Sequence, residues 1–368
     1  MTDQQTLPIA TRQSLNAGAT FLMAGGGTGG HVIPALAVAR ELRSRGHKVF
    51  FVGTQHGMEA RLVPPEGFEF KTIEIGGLNQ VSWNQKFATL SRLPITTLKC
   101  NRSVRDASAV FSMGGYVAGP PVMAALVRRV PVVVMEPNAV PGFTNRVIAR
   151  LVSRALVSFP ETAAFFPKGR TEVTGLPVRE EFFRIQPKPR ADVLHILITG
   201  GSQGSRTLNH AAVQSWPLFR DSRYPVRFTH QTGTAAFQEI RDEFAKSGLE
   251  GEVVPFIADM PAAFAAADLI VCRSGAGTVS ELAAAGKPSI LVPFPFAADD
   301  HQTRNAQALE RAGAARLVRD AEMTGEKLFE VVTSVTDELS SMGAAARQFA
   351  KPGAAKRAAD ILEEVARP

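Results

Sequence analysis

The stretch TFLMAGGGTGGHVIPALAVARELRSRG, residues 20–46, decides how the chain is read. Thr20–Ala24 is an apolar run that predicts a strand. Gly25 to Gly30 predict a loop, and the spacing of apolar residues after it predicts a helix from about His31 to Arg45, ended by Gly46. KVFFV at 48–52 predicts the next strand, and PVVVM at 131–135 suits a strand buried on both faces. HILITGGSQGSRTL at 195–208 restarts the pattern, with a strand, a glycine loop and a helix from Leu208. Further strands are expected at Val226–Thr229, Leu269–Cys272 and Ser289–Val292. Alternation of this kind means parallel sheets. The matching loops Gly26–Gly30 and Gly200–Gly204 point to an internal repeat, so the expected fold class is α/β with two doubly wound domains. Pro177, Pro187 and several charges mark a linker near Thr174–Lys188.

Composition bounds the rest. A chain of 368 residues suggests two domains or three, and 45% hydrophobic with 20% charged residues is enough to build full cores. Cys100 and Cys272 lie far apart with no CxxC spacing, which excludes a disulfide framework and a cysteine-based zinc site and fits a reducing cytosol. The uncharged run Ala107–Val127 is long enough to span a bilayer, but Gly114, Gly115, Gly119, Pro120 and Pro121 are expected to break it as a helix. The polar first residues read as a loose tail without a secretory signal. The net charge of +7 is uneven: residues 1–185 hold 21 basic and 12 acidic side chains, residues 186–368 hold 20 and 22. A basic first half implies an anionic partner there. With two Tyr, two Trp and no basic stripe interleaved with aromatics, nucleic acid is the weakest candidate.

Gly25-x-Gly27-x-x-Gly30 after a strand matches the dinucleotide fingerprint. The second strand nevertheless ends Val52-Gly53-Thr54, and no acid follows until Glu59, so the ribose-holding carboxylate of a dehydrogenase is missing. What survives is an anion site of backbone amides at a helix N-terminus, or else a plain tight turn. His31 opens the expected helix, where the dipole disfavours a charged imidazole; it reads equally as a base or as a polar positioning group. Ser202 offers a hydroxyl to a phosphate. Arg273-Ser274-Gly275-Ala276-Gly277-Thr278-Val279-Ser280-Glu281 forms another small-residue turn into a helix, suited to a diphosphate. Glu281 has two readings that can both hold, as acceptor of ribose hydroxyls and as partner of Thr278 in a capping box. Asp299-Asp300 reads as a solvated loop pair rather than a metal site. Residues 75–105 carry Lys86, Arg92, Lys99, Arg102 and Arg105 without one acid, beside Leu78, Val81, Trp83, Phe87, Leu90 and Leu93. That pattern reads either as an interfacial patch for an anionic membrane or as an ordinary amphipathic helix.

Taken together, AGGGTGGHVIPALAVA, FVGTQHGMEARLVP, SMGGYVAGPP, EPNAVPGFTNR, GLPVR, GGSQGSRTLN, CRSGAGTVSELAAAGKP and PFPFAADDHQTRNA resemble the MurG family of wall-building N-acetylglucosaminyltransferases, over about Phe21 to Ala366. The resemblance implies GT-B architecture: two Rossmann-like doubly wound parallel-sheet domains facing across a cleft, closing over the donor, with no bound metal or cofactor. It implies a tail at 1–19, an acceptor- and membrane-facing domain at 20–176 and a UDP-sugar domain at 177–352; the last stretch, about 353–368, reads as a helix after Pro352-Gly353, and the sequence leaves open whether it packs back on the first domain. By the family pattern Thr28, Gly29 and Gly30 sit beside the sugar and lipid-linked diphosphate, and His31, Tyr116 and Glu136 belong to the acceptor side. Asn138, Arg179 and Gln302 would contact the donor, Ser202 its phosphate and Ile257 its uracil through the backbone. Ala276, Gly277, Thr278, Val279, Ser280 and Glu281 would hold diphosphate and ribose. His31 is the first candidate for the base and Glu136 the alternative. Leu78, Trp83, Lys86, Phe87, Leu90 and Arg92 would meet an anionic membrane. The implied partners are UDP-N-acetylglucosamine, lipid I and wall-synthesis proteins, with no nucleic acid, at the cytoplasmic face of the bacterial inner membrane. Pro137 and Leu176 depart from the family, which usually has Gln and Asn there. A sugar-nucleotide epimerase and a non-catalytic UDP-sugar-binding protein are the rival readings.

Overall fold

The computed structural model describes residues 18–76, 83–189 and 192–366, with the side chains of 83–93 outside that description. The chain divides into two units. The first runs up to Pro137 and takes in Pro141–Pro177 and the stretch from Gly353; the second comprises Asn138–Val140 and Val178–Pro352.

In the first unit the order is β1 (Thr20–Gly25), α1 (Gly29–Ser44), β2 (Lys48–Gly53), α2 (Met58–Leu62), β3 (Glu69–Thr72), α3 (Trp83–Arg105), β4 (Ala109–Gly114), α4 (Gly115–Val127), β5 (Val132–Glu136), α5 (Phe143–Ile148), β6 (Arg154–Val157) and β7 (Thr171–Val173). The seven strands pair in parallel in the order β3-β2-β1-β4-β5-β6-β7. Phe21, Leu22, Met23 and the whole of β5 are buried, since a sheet covered on both faces leaves neither side chain row to water. The uncharged run 107–127 divides at Gly114 and Gly115, both at φ +76, into β4 and α4. Contrary to expectation, Pro120 and Pro121 do not break α4. Their fixed φ is itself helical, and burial of Val117, Ala118, Val122 and Ala125 outweighs the lost donors. Among the described residues no helix is long and apolar enough to cross a membrane.

The second unit repeats the plan with α6 (Glu180–Phe183), β8 (Leu194–Thr199), α7 (Arg206–Arg220), β9 (Val226–Gln231), α8 (Phe237–Ser247), β10 (Glu250–Val254), α9 (Met260–Ala266), β11 (Leu269–Cys272), α10 (Ala276–Ala285), β12 (Ser289–Leu291), α11 (His301–Arg311), β13 (Ala315–Leu317), α12 (Gly325–Ser334) and α13 (Leu339–Phe349). Its six parallel strands run β10-β9-β8-β11-β12-β13. Ile196, Ile198, Phe228, Val271 and Ile290 from the strands pack with Leu208, Trp216, Phe219 and Leu328 from the helices. The stretch expected as a linker contains α6, with Phe182 fully buried against Phe264.

After Pro352 and Gly353, α14 (Ala354–Ala366) returns to the first unit and packs on α1. Ile361 and Leu362 are buried there. Arg45 pairs with Asp360 at 2.6 Å, the His47 ring meets Glu363 at 2.8 Å, and Arg357 makes a two-pronged bond to Glu172.

Candidate active site

In each sheet the strand order reverses between the first strand and its neighbour, which opens a crevice at the carboxyl ends where doubly wound sheets bind ligands. In the first unit that point lies between β1 and β4. The loop after β1 turns at Gly27, φ +84, and enters α1 with Thr28 as an extended N-cap. The helix therefore begins at Gly29, two residues before the expected start, and His31 is its third residue rather than its opening one. No side chain caps the N-terminus. His31 Nδ1 lies 3.2 Å from the Gly26 carbonyl and 3.4 Å from Thr28 Oγ1. A carbonyl only accepts, so Nδ1 donates in this contact, which in the neutral ring selects the Nδ1–H tautomer. The Tyr116 ring lies against Gly27, and the His31 ring against Gly115 after β4. The structure thus gathers Thr28, Gly29, Gly30, His31 and Tyr116 at one place.

Glu136 ends β5 and is buried. Its Oε2 accepts from the Gly142 N–H at 3.0 Å and from Asn145 Nδ2 at 2.9 Å, which holds the turn leading into α5. Glu59, read from sequence only as the first acid after the loop, is a component sequence reasoning missed. It is fully buried, with Oε2 accepting from the Gly27 N–H at 2.8 Å and Oε1 from the Thr54 N–H at 2.8 Å and Thr54 Oγ1 at 2.7 Å. Burial raises its pKa, but the bonds from Thr54 and Gly27 outweigh that and hold it below the usual carboxylate range.

In the second unit the loops after β8 and β11 flank the corresponding point. Gly201 and Gly204 turn at φ +84 and +73, Ser202 is exposed at the tip, and Ser205 caps α7 by accepting from the Leu208 N–H. That helix begins at Arg206, ahead of the expected Leu208. Arg273 ties the two loops together, donating to Ser205 Oγ at 2.7 Å, Asp320 Oδ1 at 2.5 Å and the Val292 and Pro293 carbonyls. Next to it α10 begins at Ala276 with Gly275 as N-cap and no side-chain cap. The expected capping box is therefore absent: Thr278 is already the third helical residue, and Glu281 lies in the second turn. The N-terminal amides of α10 and the Glu281 carboxyl thus remain available to a ligand. Burial pushes Glu281 up to about 7, with Arg179 pulling the other way.

A cavity of about 700 Å³ opens beside these loops, lined among others by Gly204, Ser205, Arg206, Arg273, Phe294 and Gln302. Gln302 Oε1 accepts from the Phe294 N–H, and Asp299 and Asp300 are exposed. Two buried amides are further components the sequence did not reveal. Asn305 holds Asn138 Oδ1 through its Nδ2 and accepts from the Ala139 N–H. Gln231 donates to the Gly201 carbonyl at 2.8 Å and accepts from the Ile257 N–H at 3.0 Å, so it joins the glycine loop to the segment expected to hold a base. Nothing in their spacing marks Asn305 or Gln231, because their role depends on which loops the sheet brings near. Leu78 lies outside the described residues, as do the side chains of Trp83, Lys86, Phe87, Leu90 and Arg92. Among the described residues no cluster of three or more His, Cys, Asp or Glu could hold a metal ion.

Residues 21–157 match the glycosyltransferase family 28 N-terminal domain and residues 195–365 its C-terminal domain. A relative from Solibacter usitatus, the UDP-N-acetylglucosamine–N-acetylmuramyl-(pentapeptide) pyrophosphoryl-undecaprenol N-acetylglucosamine transferase, is 92% identical over the full length of both chains. The protein of the same name from Myxococcus xanthus is 40% identical over 94% of this chain and 92% of its own. Among solved structures, Acinetobacter baumannii MurG superposes with a TM-score of 0.80 at 36% identity, covering 94% of this chain and 99% of that one. A UDP-GlcNAc 2-epimerase from Neisseria meningitidis, with a TM-score of 0.64 at 14% identity, shares the fold alone. With both halves of the family model matched and close relatives aligned end to end, the chain belongs to glycosyltransferase family 28, in its MurG branch of GT-B N-acetylglucosamine transferases.

Proposed function

We propose that the chain transfers N-acetylglucosamine from UDP-N-acetylglucosamine to the 4-hydroxyl of undecaprenyl-pyrophosphoryl-N-acetylmuramyl-pentapeptide, giving lipid II and UDP with inversion at the anomeric carbon. The end-to-end identity of 92% to the Solibacter transferase carries this reading. In a single displacement the acceptor oxygen forms its bond to the anomeric carbon as the bond to the β-phosphate oxygen breaks, so a base and a stabilised leaving group are both needed. His31 supplies the base, taking the hydroxyl proton on Nε2 while Nδ1–H stays on the Gly26 carbonyl. Glu136, the alternative, fits less well because two N–H bonds already hold one of its oxygens. The amides of Thr28, Gly29 and Gly30 receive the lipid-linked diphosphate, with Tyr116 beside them. Ser202 and the first residues of α10, Ala276, Gly277 and Thr278, receive the donor diphosphate through helix-terminal N–H groups, the Val279 N–H being already bonded to the Gly275 carbonyl. Glu281 takes the ribose hydroxyls, Ile257 the uracil, and Asn138, Arg179 and Gln302 the sugar side.

Labelled N-acetylglucosamine supplied as UDP-N-acetylglucosamine, with a lipid I analogue and EDTA, is expected to appear in disaccharide-lipid. UDP-N-acetylmannosamine formed without acceptor would instead favour the epimerase reading. In His31→Ala, turnover is expected to fall about 100-fold or more, and a loss of only a few-fold would remove His31 as base.

The same reading places the first unit against an anionic membrane. Ile95 and Leu98 on α3, Val127 on α4 and Phe143, Val147 and Leu151 on and after α5 are exposed apolar residues, with Lys99, Arg102, Arg128, Arg146 and Arg150 exposed among them. Phe143 and Val147 lie one helical turn apart on α5, which favours one apolar face. Trp83→Ser with Phe87→Ser, or Lys86→Glu with Arg92→Glu, is expected to weaken sedimentation with anionic vesicles. Unchanged partition of the folded variants would refute the contribution of the 78–92 patch.

A further inference from the structure

Three glycines surround Glu59 for a reason unrelated to turning the chain. A Cβ on Gly26 would stand 2.4 Å from the Glu59 carboxyl carbon, one on Gly53 2.4 Å from its Cγ, and one on Gly57 2.2 Å from Oε2. None of the three needs a left-handed backbone, so what they supply is room for a carboxylate. The carboxylate has no exposure to water, and the bonds that hold it come from Thr54 and Gly27. A buried ionised group held by neutral donors is costly unless those donors are well placed.

The donor from the glycine loop belongs to a particular peptide unit. Glu59 Oε2 takes the Gly27 N–H, and the carbonyl at the other end of that same unit, Gly26 O, takes His31 Nδ1–H at 3.2 Å. In a trans peptide the N–H and C=O point to opposite sides, so the unit stands between carboxylate and imidazole. Hydrogen bonds in series polarise one another: negative charge at the N–H end makes the carbonyl a stronger acceptor, and that strengthens the bond to the imidazole. We propose that Glu59 is a positioning residue for His31, acting through the Gly26–Gly27 peptide to fix the Nδ1–H tautomer and raise the basicity of Nε2. The arrangement does for His31 what a carboxylate bonded directly to imidazole does in hydrolases, with a peptide inserted. When Nε2 takes the acceptor proton, the ring becomes imidazolium, Nδ1 keeps its hydrogen, and no proton moves onto the peptide or Glu59. Its catalytic consequence rests on His31 being the base, whereas its geometric part does not.

The test is Glu59→Gln, of nearly equal volume, in the full chain. Expected are a kcat about tenfold lower, equivalent to about one unit of lost basicity, an unchanged KM for UDP-N-acetylglucosamine, and a shift of the His31 ¹⁵N signals away from the pure Nδ1–H form. An unchanged kcat with unchanged signals would overturn the proposal, as would a variant that raises KM and lowers stability with kcat intact. Should Glu59→Gln not fold, the ¹⁵N spectrum of the unaltered protein decides, since an Nε2–H tautomer at His31 refutes the relay outright. His31→Ala distinguishes the two failures. Retained turnover there would remove the base reading, while the tautomer and its response to Glu59→Gln would still judge the relay.

Discussion

In the second turn of α10, burial pushes the Glu281 carboxyl up to about 7 against the pull of Arg179, so below that pH the unliganded side chain is protonated. Ribose hydroxyls donating to it favour the ionised form, and donor binding should therefore expel a proton. Calorimetry with UDP-N-acetylglucosamine in two buffers of different ionisation enthalpy is expected to detect release of nearly one proton at pH 6 and almost none at pH 8.5. Affinity should rise with pH up to about 7 and then level. No release at pH 6 would remove Glu281 from the ribose. The same residue acts on stability with the opposite sign. A carboxyl whose folded pKa is raised stabilises the fold fully below the unfolded value, and that contribution is lost as pH rises through about 7. Glu281→Gln is expected to be the more stable protein at pH 8 and the weaker binder of donor. At this scale the sequence marked the candidates that carry their own chemistry, such as His31 in GGGTGGH and Glu281 in SELAAAG. It gave no sign of Glu59, Gln231 or Asn305, whose partners at Gly27, Gly201 and Asn138 are adjacent only in the folded chain.

At the scale of elements, the glycine loops are fixed by what lies against them. A Cβ on Gly204 would stand 1.8 Å from the Thr232 carbonyl oxygen, on a backbone at φ +73, while one on Gly201, at φ +84, would meet open space. Gly204→Ala combines a backbone collision with left-handed strain and is expected to destabilise the second unit by about 3 kcal/mol or more, with loss of donor binding. Gly201→Ala carries the strain alone, about 1–2 kcal/mol. Denaturation followed by the fluorescence of buried Trp216, in a Trp83→Phe background, compares the two, and equal losses would show that contact with Thr232 is unimportant. The strands at Leu269–Cys272 and near Ser289 were legible because they are unbroken apolar runs. Helix starts were less so. Thr28 and Gly275 are residue types favoured at N-caps, but each stands in a run of small residues and caps through extended backbone without a side-chain bond, so the sequence does not single out the start. Strands such as Glu69–Thr72, Glu250–Val254 and Ala315–Leu317 were illegible because polar or small residues fill them, and neighbouring strands define them.

Over the whole molecule, the last helix belongs to the unit formed by the first residues of the chain. Ile361 and Leu362 bury fully with α1, and Arg45, His47 and Glu172 are the polar partners of α14. Removing residues 353–368 should cost the first unit about 3–6 kcal/mol of apolar burial and produce a calorimetric transition roughly 10 °C lower. An unchanged thermogram would mean that these contacts contribute little. The chain's own residues determined the α/β class, the repeat of a strand, glycine loop and helix, the uneven charge and the motifs of a glycosyltransferase. Each of these is a local pattern, set by side-chain period, by where glycine is needed and by which groups bind anions. Tertiary structure alone decided the order β3-β2-β1-β4-β5-β6-β7, the return of α14, and the seat of Glu59 behind the peptide that holds His31. Those depend on non-local burial and on hydrogen bonds between residues tens to hundreds of positions apart, which no periodicity in a linear chain encodes.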